Sequence, residues 1–166
     1  MAVASSFDIT STVDFQEVEN ALNQARKEIG QRYDFKGSKA DIEFNAAEKK
    51  LTLVADDEFK MNALWEIIQT RLVRRGVAVK NFKVEESEPA AGGAVRRVID
   101  VQQGIPIEAA REIVKFIKDR KLKKVQANIQ ADQVRVSSPS KDELQEAMAQ
   151  LRNHDFGVAL QFGNYR

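Results

Sequence analysis

The segment VQANIQADQVRV, Val125 to Val136, alternates apolar and polar residues on both sides of a short break at Ala131-Asp132. Alternation with a period of two around a polar interruption predicts a β-hairpin. Val125, Ala127, Ile129, Val134 and Val136 fall on a core face, and Gln126, Asn128, Gln130, Gln133 and Arg135 on an opposite face of amides with one arginine. Helical periodicity brackets the hairpin. Upstream, Gly104-Ile105-Pro106 is a turn with Pro106 at the first helical position, and Ile107, Ala110, Val114 and Ile117 form the helix stripe. Downstream, Ser138 or Ser140 caps a helix, the latter with Glu143 three residues on, and Leu144, Ala147, Met148 and Leu151 supply its apolar face. Strands over Val95 to Gln102 and through Val158, Leu160 and Phe162 enclose this set.

The same order occurs earlier in the chain. A short β-like segment lies within Ser6 to Thr10, and Asp14 with Glu17 forms a capping box flanked by Val13 and Val18. Phe15, Val18, Leu22, Ala25 and Ile29 then give one apolar stripe that stops at Gly30. Ala40, Ile42 and Phe44, a polar turn from Asn45 to Lys50, and Leu51 and Leu53 predict a second hairpin. Asp56 or Asp57 caps the next helix, whose stripe is Met61, Leu64, Trp65, Ile68 and Leu72, with Arg71, Arg74 and Arg75 at its C-terminal end. Val77 to Val84 is the last strand of this half, and the Pro/Gly/Ala/Glu segment from Glu85 to Ala94 is the expected linker.

Each half therefore has the order β-α-β-β-α-β, an α+β class of two ferredoxin-like domains with antiparallel sheets. Such sheets carry helices on one face and leave the other open. The open face of the first hairpin is assigned Asp41, Glu43, Lys50 and Thr52; that of the second is rich in amides and suits hydrogen bonding to bases or phosphates. RNA-binding sheets of this shape stack bases on aromatic residues, which the second hairpin lacks, so a solvated or interface-facing polar sheet is the competing reading.

Composition narrows the function classes. In 166 residues, 26 Lys and Arg balance 25 Asp and Glu for a net charge of +1, so any basic site must be local. The absence of cysteine excludes thiol catalysis, disulfides and Cys-based zinc sites. His154 is the one histidine, and no phosphate-binding loop, nucleophile elbow or metal-ligand spacing accompanies it. A binding protein without catalytic residues, metal or cofactor is expected. The start MAVASSFDIT lacks the basic and apolar regions of a signal peptide and no apolar run is long enough to span a bilayer, which predicts a cytoplasmic protein away from membranes.

Two further stretches carry candidate chemistry. In RYDFKG, Arg32 and Lys36 flank Tyr33, Asp34 and Phe35; the aromatics could stack a base while the cations hold a phosphate. Alternatively, Tyr33 and Phe35 close the core and Asp34 pairs with Arg32 or Lys36. Arg111, Lys115 and Lys118 share one helix face and continue into Arg120, Lys121, Lys123 and Lys124, although Glu108, Glu112 and Asp119 interleave with them. They offer a phosphate patch or a solvated face.

SFDI at Ser6 to Ile9, RYDFKGS at Arg32 to Ser38, KDRKLKKVQANIQADQVRV at Lys118 to Val136, KDELQEA at Lys141 to Ala147 and LQFGNYR at Leu160 to Arg166 together resemble the YajQ family of bacterial cytoplasmic nucleotide-binding proteins. The resemblance spans nearly the whole chain. It implies two domains similar to RNA-binding RNP modules with their N-terminal strands exchanged. The first would cover residues 12–104, including the strand at 95–102, and the second residues 1–11 plus 105–166. It also implies non-enzymatic binding of nucleotides or RNA, with cyclic di-GMP a ligand proposed for some members, and a protein partner such as a transcription regulator. The motif positions that it singles out are Arg32, Tyr33, Asp34, Phe35 and Lys36, Gln126, Gln130, Gln133 and Arg135, and Asn164 and Arg166. Two positions depart from the family pattern. Ala131 stands where members usually have Gly, which strains a turn needing positive φ or selects another turn; Ser138-Pro139-Ser140 replaces a basic run, which removes a phosphate contact from that loop.

Overall fold

The computed structural model describes residues 4–166. The chain divides into two units, one of residues 4–12 with 103–166 and the other of Val13–Gln102. The helices start where side chains satisfy their first free N–H groups. Asp14 accepts from Gln16 N (3.0 Å) and Glu17 N (3.4 Å) ahead of α1 (Phe15–Gln31), Asp57 from Lys60 N (2.8 Å) ahead of α2 (Glu58–Arg74), and Ser140 from Glu143 N (3.3 Å) ahead of α4 (Lys141–Arg152). Before α3 (Ile107–Asp119), Pro106 occupies the cap position itself, one residue earlier than its placement from the sequence.

In the unit of Val13–Gln102, β2 (Asp41–Asn45), β3 (Lys50–Ala55), β6 (Val95–Val101) and β4 (Phe82–Val84) form an antiparallel sheet in the order β2-β3-β6-β4, with β5 (Glu88–Pro89) also on β6. Its core joins Val18, Leu22 and Ala25 of α1 and Met61, Leu64, Ile68 and Leu72 of α2 to Leu51, Leu53 and Ile99 of the strands. The helices cover one sheet face only, an arrangement consistent with a ferredoxin-like domain. Three expectations are corrected here. Only Phe82–Val84 of the segment from Val77 is strand, because Val79–Asn81 winds into a 3-10 turn. Glu85 to Ala94 is no linker: it folds back within this unit, with Glu88 opposite Arg96 and Pro89 opposite Val95, and Gly92 and Gly93 take the positive φ of the reversal. On α2, Ile67 is buried where the expected stripe had omitted it, while Trp65 is only partly covered.

In the other unit, β1 (Ser5–Thr10) lies between β8 (Gln133–Ser138) and β9 (Gln161–Gly163), and β7 (Gln126–Gln130) forms the edge, in the order β7-β8-β1-β9. Phe7, Ile9, Val134 and Val136 face α3 and α4 through Ile113, Ile117, Leu144, Met148 and Leu151. The buried face of α3 is Ala109, Ala110, Ile113 and Ile117, so the expected stripe is wrong in part: Ile107 is exposed and Val114 only half-buried. Ile129, expected in the core, is 37% exposed on the edge strand β7, which has a neighbouring strand on one side only. No helix among the described residues is long and apolar enough to cross a membrane.

Candidate functional site

Register fixes which side chains share the open face of the β7-β8-β1-β9 sheet. Directly opposed residues of antiparallel strands point the same way, which gives three polar rows: Gln126 with Ser137 and Ser6; Asn128 with Arg135, Asp8 and Gly163; and Gln130 with Gln133, Thr10 and Gln161. No aromatic residue interrupts them. The middle row is internally paired. Arg135 Nε donates to Asp8 Oδ1 (2.9 Å) and its terminal nitrogen to Oδ2 (3.4 Å), while Asn164 Nδ2 donates to Asp8 Oδ2 (2.5 Å). Asp8 is thereby only 7% exposed, and the hydrogen bond from Arg135, followed by that from Asn164, holds its carboxyl below the usual carboxylate range against the opposing effect of burial.

Asn164 reaches Asp8 through a local irregularity. Asp8 pairs with Gly163, and Ser6 exchanges backbone hydrogen bonds with Arg166 (3.1 and 3.0 Å), so Asn164 and Tyr165 together oppose Phe7 alone. This is a β-bulge, with Asn164 at φ +52°. Arg166 thus ends alongside β1.

Arg111, Lys115 and Lys118 are exposed on α3 and make no ion pair among the described residues. Because α3 packs on the core face of its sheet, these cations stand on the opposite side of the unit from the amide rows. One ligand lying on the amide face does not reach them.

RYDFKG forms a different kind of surface in the unit of Val13–Gln102. Arg32 ends α1, and Tyr33–Phe35 makes a single 3-10 turn. Phe35 enters the core at 4% exposure, whereas Tyr33 is 88% exposed, so the alternative that both aromatics close the core holds for Phe35 only. The turn is braced on both sides. Arg32 donates from Nε and a terminal nitrogen to the two Asp34 oxygens (3.0 and 2.9 Å), with Glu28 at 3.6 Å, and Lys60 Nζ donates to the Asp34 carbonyl. The Arg32 fork lowers the pKa of Asp34, whose charge in turn raises that of Arg32. Lys60 Nζ also lies 5.0 Å from the Phe35 ring centre, and the Arg32 guanidinium carbon 5.7 Å.

Lys36 follows on the rim of a cleft of about 390 Å³ lined also by Arg26, Ile29, Ser38 and Asp41. Lys36 makes no ion pair among the described residues. Gly37 takes φ +71°, and the loop is then tied down by Asp56, which accepts from the Ser38 hydroxyl and from Lys39 N (3.0 Å). Those hydrogen bonds, Ser38 first, lower the pKa of Asp56. A rigid turn thus presents one exposed aromatic ring with a cation on each side in sequence.

Several of these participants were absent from the sequence expectations. Asp8 alternates with Phe7 and Ile9, which already places it on the polar face, but only the β1-β8 register pairs it with Arg135. Lys60 braces the RYDFKG turn across the fold, and Asp56, one of two expected caps for α2, ties down the following loop instead, leaving the cap to Asp57. Arg97, which is buried, donates to Glu58 Oε1 (2.6 Å) and Asn62 Oδ1 (3.2 Å), joining β6 to the first turns of α2. Among the described residues, no cluster of three His, Cys, Asp or Glu side chains could hold a metal ion.

The family described as nucleotide-binding protein YajQ-like matches residues 5–166. A protein of Acidithiobacillus ferrooxidans named nucleotide-binding protein is 50% identical over 161 residues, covering 97% of this chain and 98% of that protein. Proteins of the same name from Carboxydothermus hydrogenoformans and Chloroherpeton thalassium are 48% and 45% identical over 166 residues, covering 100% of both chains in each case. With a family match and relatives at this identity along its whole length, the chain belongs to the YajQ-like family of nucleotide-binding proteins.

Proposed function

We propose that this chain binds a nucleotide without turning it over, and that the base stacks on Tyr33 while Lys36 meets the phosphate. The observation that carries this reading is the 88% exposure of Tyr33 on a turn whose neighbours are pinned. An aromatic side chain left in water on a rigid support is a stacking surface whose ordering cost has already been met by the fold. The names of the relatives support the ligand class.

The finer reading is a receptor for a cyclic dinucleotide such as cyclic di-GMP, acting in the bacterial cytoplasm on a protein partner, a transcription regulator being one candidate. Phe59, 78% exposed beside the Lys60 that braces the turn, gives such a partner an apolar contact near the bound base. Binding rather than catalysis accords with the name of the relatives, nucleotide-binding protein, which specifies no reaction.

The amide rows favour a second reading, RNA binding across Gln126, Gln130, Gln133 and Arg135 with Asn164 and Arg166 at the border. Calorimetry against mononucleotides, cyclic di-GMP and short RNAs at two salt concentrations separates the two. A small ligand held by one or two cations loses little affinity with salt, whereas RNA bound through several phosphates loses affinity steeply. Binding of RNA alone, with a steep salt slope, would overturn the nucleotide-receptor reading, and so would hydrolysis that tracks with the protein through repurification.

A further inference from the structure

The strand β7 ends its sheet with an uncovered edge. Gln126, Asn128, Ile129 and Gln130 are exposed, and the strand carries neither charge nor proline, the features that usually keep an edge from pairing. Its hairpin closes on the Gln130–Gln133 pair across two residues, which makes that pair mutually hydrogen bonded. Alternation then directs the backbone groups of Gln126, Asn128 and Gln130 toward β8, and those of Ala127 and Ile129 outward.

The sequence of this edge is symmetric in chemical class about Asn128. We infer that β7 is a self-association surface, pairing antiparallel with β7 of a second copy about a two-fold axis at Asn128. Gln126 then opposes Gln130 of the second copy, amide against amide on the open face, and Ala127 opposes Ile129, apolar against apolar on the core face. Both outward-directed residues meet in hydrogen-bonded positions, and the exposed Ile129 is covered. Lys124 precedes the strand and Asp132 follows it in the turn, so antiparallel pairing brings the basic end of one copy toward the acidic end of the other, twice by symmetry. Neither residue makes an ion pair among the described residues. The two sheets become one, and their amide rows run on across the axis.

The chain has no cysteine, so single substitutions report the register directly. Asn128→Cys places two thiols at a non-hydrogen-bonded pair, where Cα atoms lie about 4.5 Å apart, within disulfide reach. Under mild oxidation it should form a covalent dimer at least about tenfold faster than Gln126→Cys or Gln130→Cys, whose symmetry mates sit beyond that reach. Wild-type protein should sediment with a concentration-dependent mass that Lys124→Glu lowers and Lys124→Glu with Asp132→Lys restores. Cross-linking no faster for Asn128→Cys than for the other two would overturn the inference, as would a monomeric mass at every concentration.

Discussion

Asp8 on β1 holds the guanidinium fork of Arg135 on β8 across 127 residues of sequence, so the arginine that stands out on the amide face is committed within the fold. Its planar donors fit a carboxylate in two hydrogen bonds, and lysine offers no equivalent. A ligand on this face meets a pair that is already neutralised. This is why the free cation of Lys36 and the bare ring of Tyr33 carry the functional reading instead.

Asp8 gives a pH prediction with a definite sign. Its folded-state pKa lies below the ordinary aspartate value because Arg135 and Asn164 donate to the charged form. Stability from this interaction is therefore complete above the unfolded pKa of about 4 and is lost as pH falls from there through the lower folded value. Carboxyl carbon shifts should show an Asp8 midpoint below those of solvated aspartates. Asn164→Gly, which removes the amide while tolerating φ +52°, should move that midpoint upward. An unmoved midpoint would show that the amide does not act on Asp8.

Phe7 is fully buried beside Asp8 on the strand between β8 and β9. Phe7→Ala should destabilise the unit of residues 4–12 with 103–166 by roughly 3–5 kcal/mol, the range for emptying an aromatic core site. Amide exchange should accelerate in 105–162 and stay protected in α1, α2 and β3. Faster exchange confined to Val13–Gln102 would contradict the pairing of β1 described here.

Ala131 occupies the first position of the β7-β8 turn at φ +54°. A left-handed backbone disfavours a Cβ, whereas glycine enters it freely at the expense of a more flexible unfolded chain. The first effect is larger, so Ala131→Gly should raise stability by up to about 1 kcal/mol, seen as a higher denaturant midpoint with unchanged slope.

Much of the fold was legible because local chemistry decided it. Asp14, Ser140 and the Leu144, Ala147, Met148 and Leu151 stripe are set within a few residues of sequence, and the structure keeps them. The misses have physical causes. On α3 the buried positions include Ala109 and Ala110, whose small side chains give a weak signal, while the more hydrophobic Ile107 lies exposed in the first turn. Proline and glycine between Glu85 and Ala94 marked a turn as readily as a linker, and only pairing with β6 distinguishes them. In RYDFKG the two aromatics are alike in sequence, and only the 3-10 turn sends Phe35 inward and Tyr33 outward. The partner of Arg135 depended on register between distant strands, which periodicity does not encode.

The central claim, that the exposed ring of the braced turn is the nucleotide surface, is tested most directly by amide chemical-shift mapping during titration with mononucleotides and cyclic di-GMP. Shifts should centre on Arg32 to Ser38. Tyr33→Ala should weaken binding by roughly 1–3 kcal/mol, the scale of one stacked base, with an unchanged melting temperature because the side chain is 88% exposed. Saturating shifts confined to Gln126–Gln130 and Gln133–Ser138, with Tyr33→Ala binding as tightly as the wild type, would contradict the account.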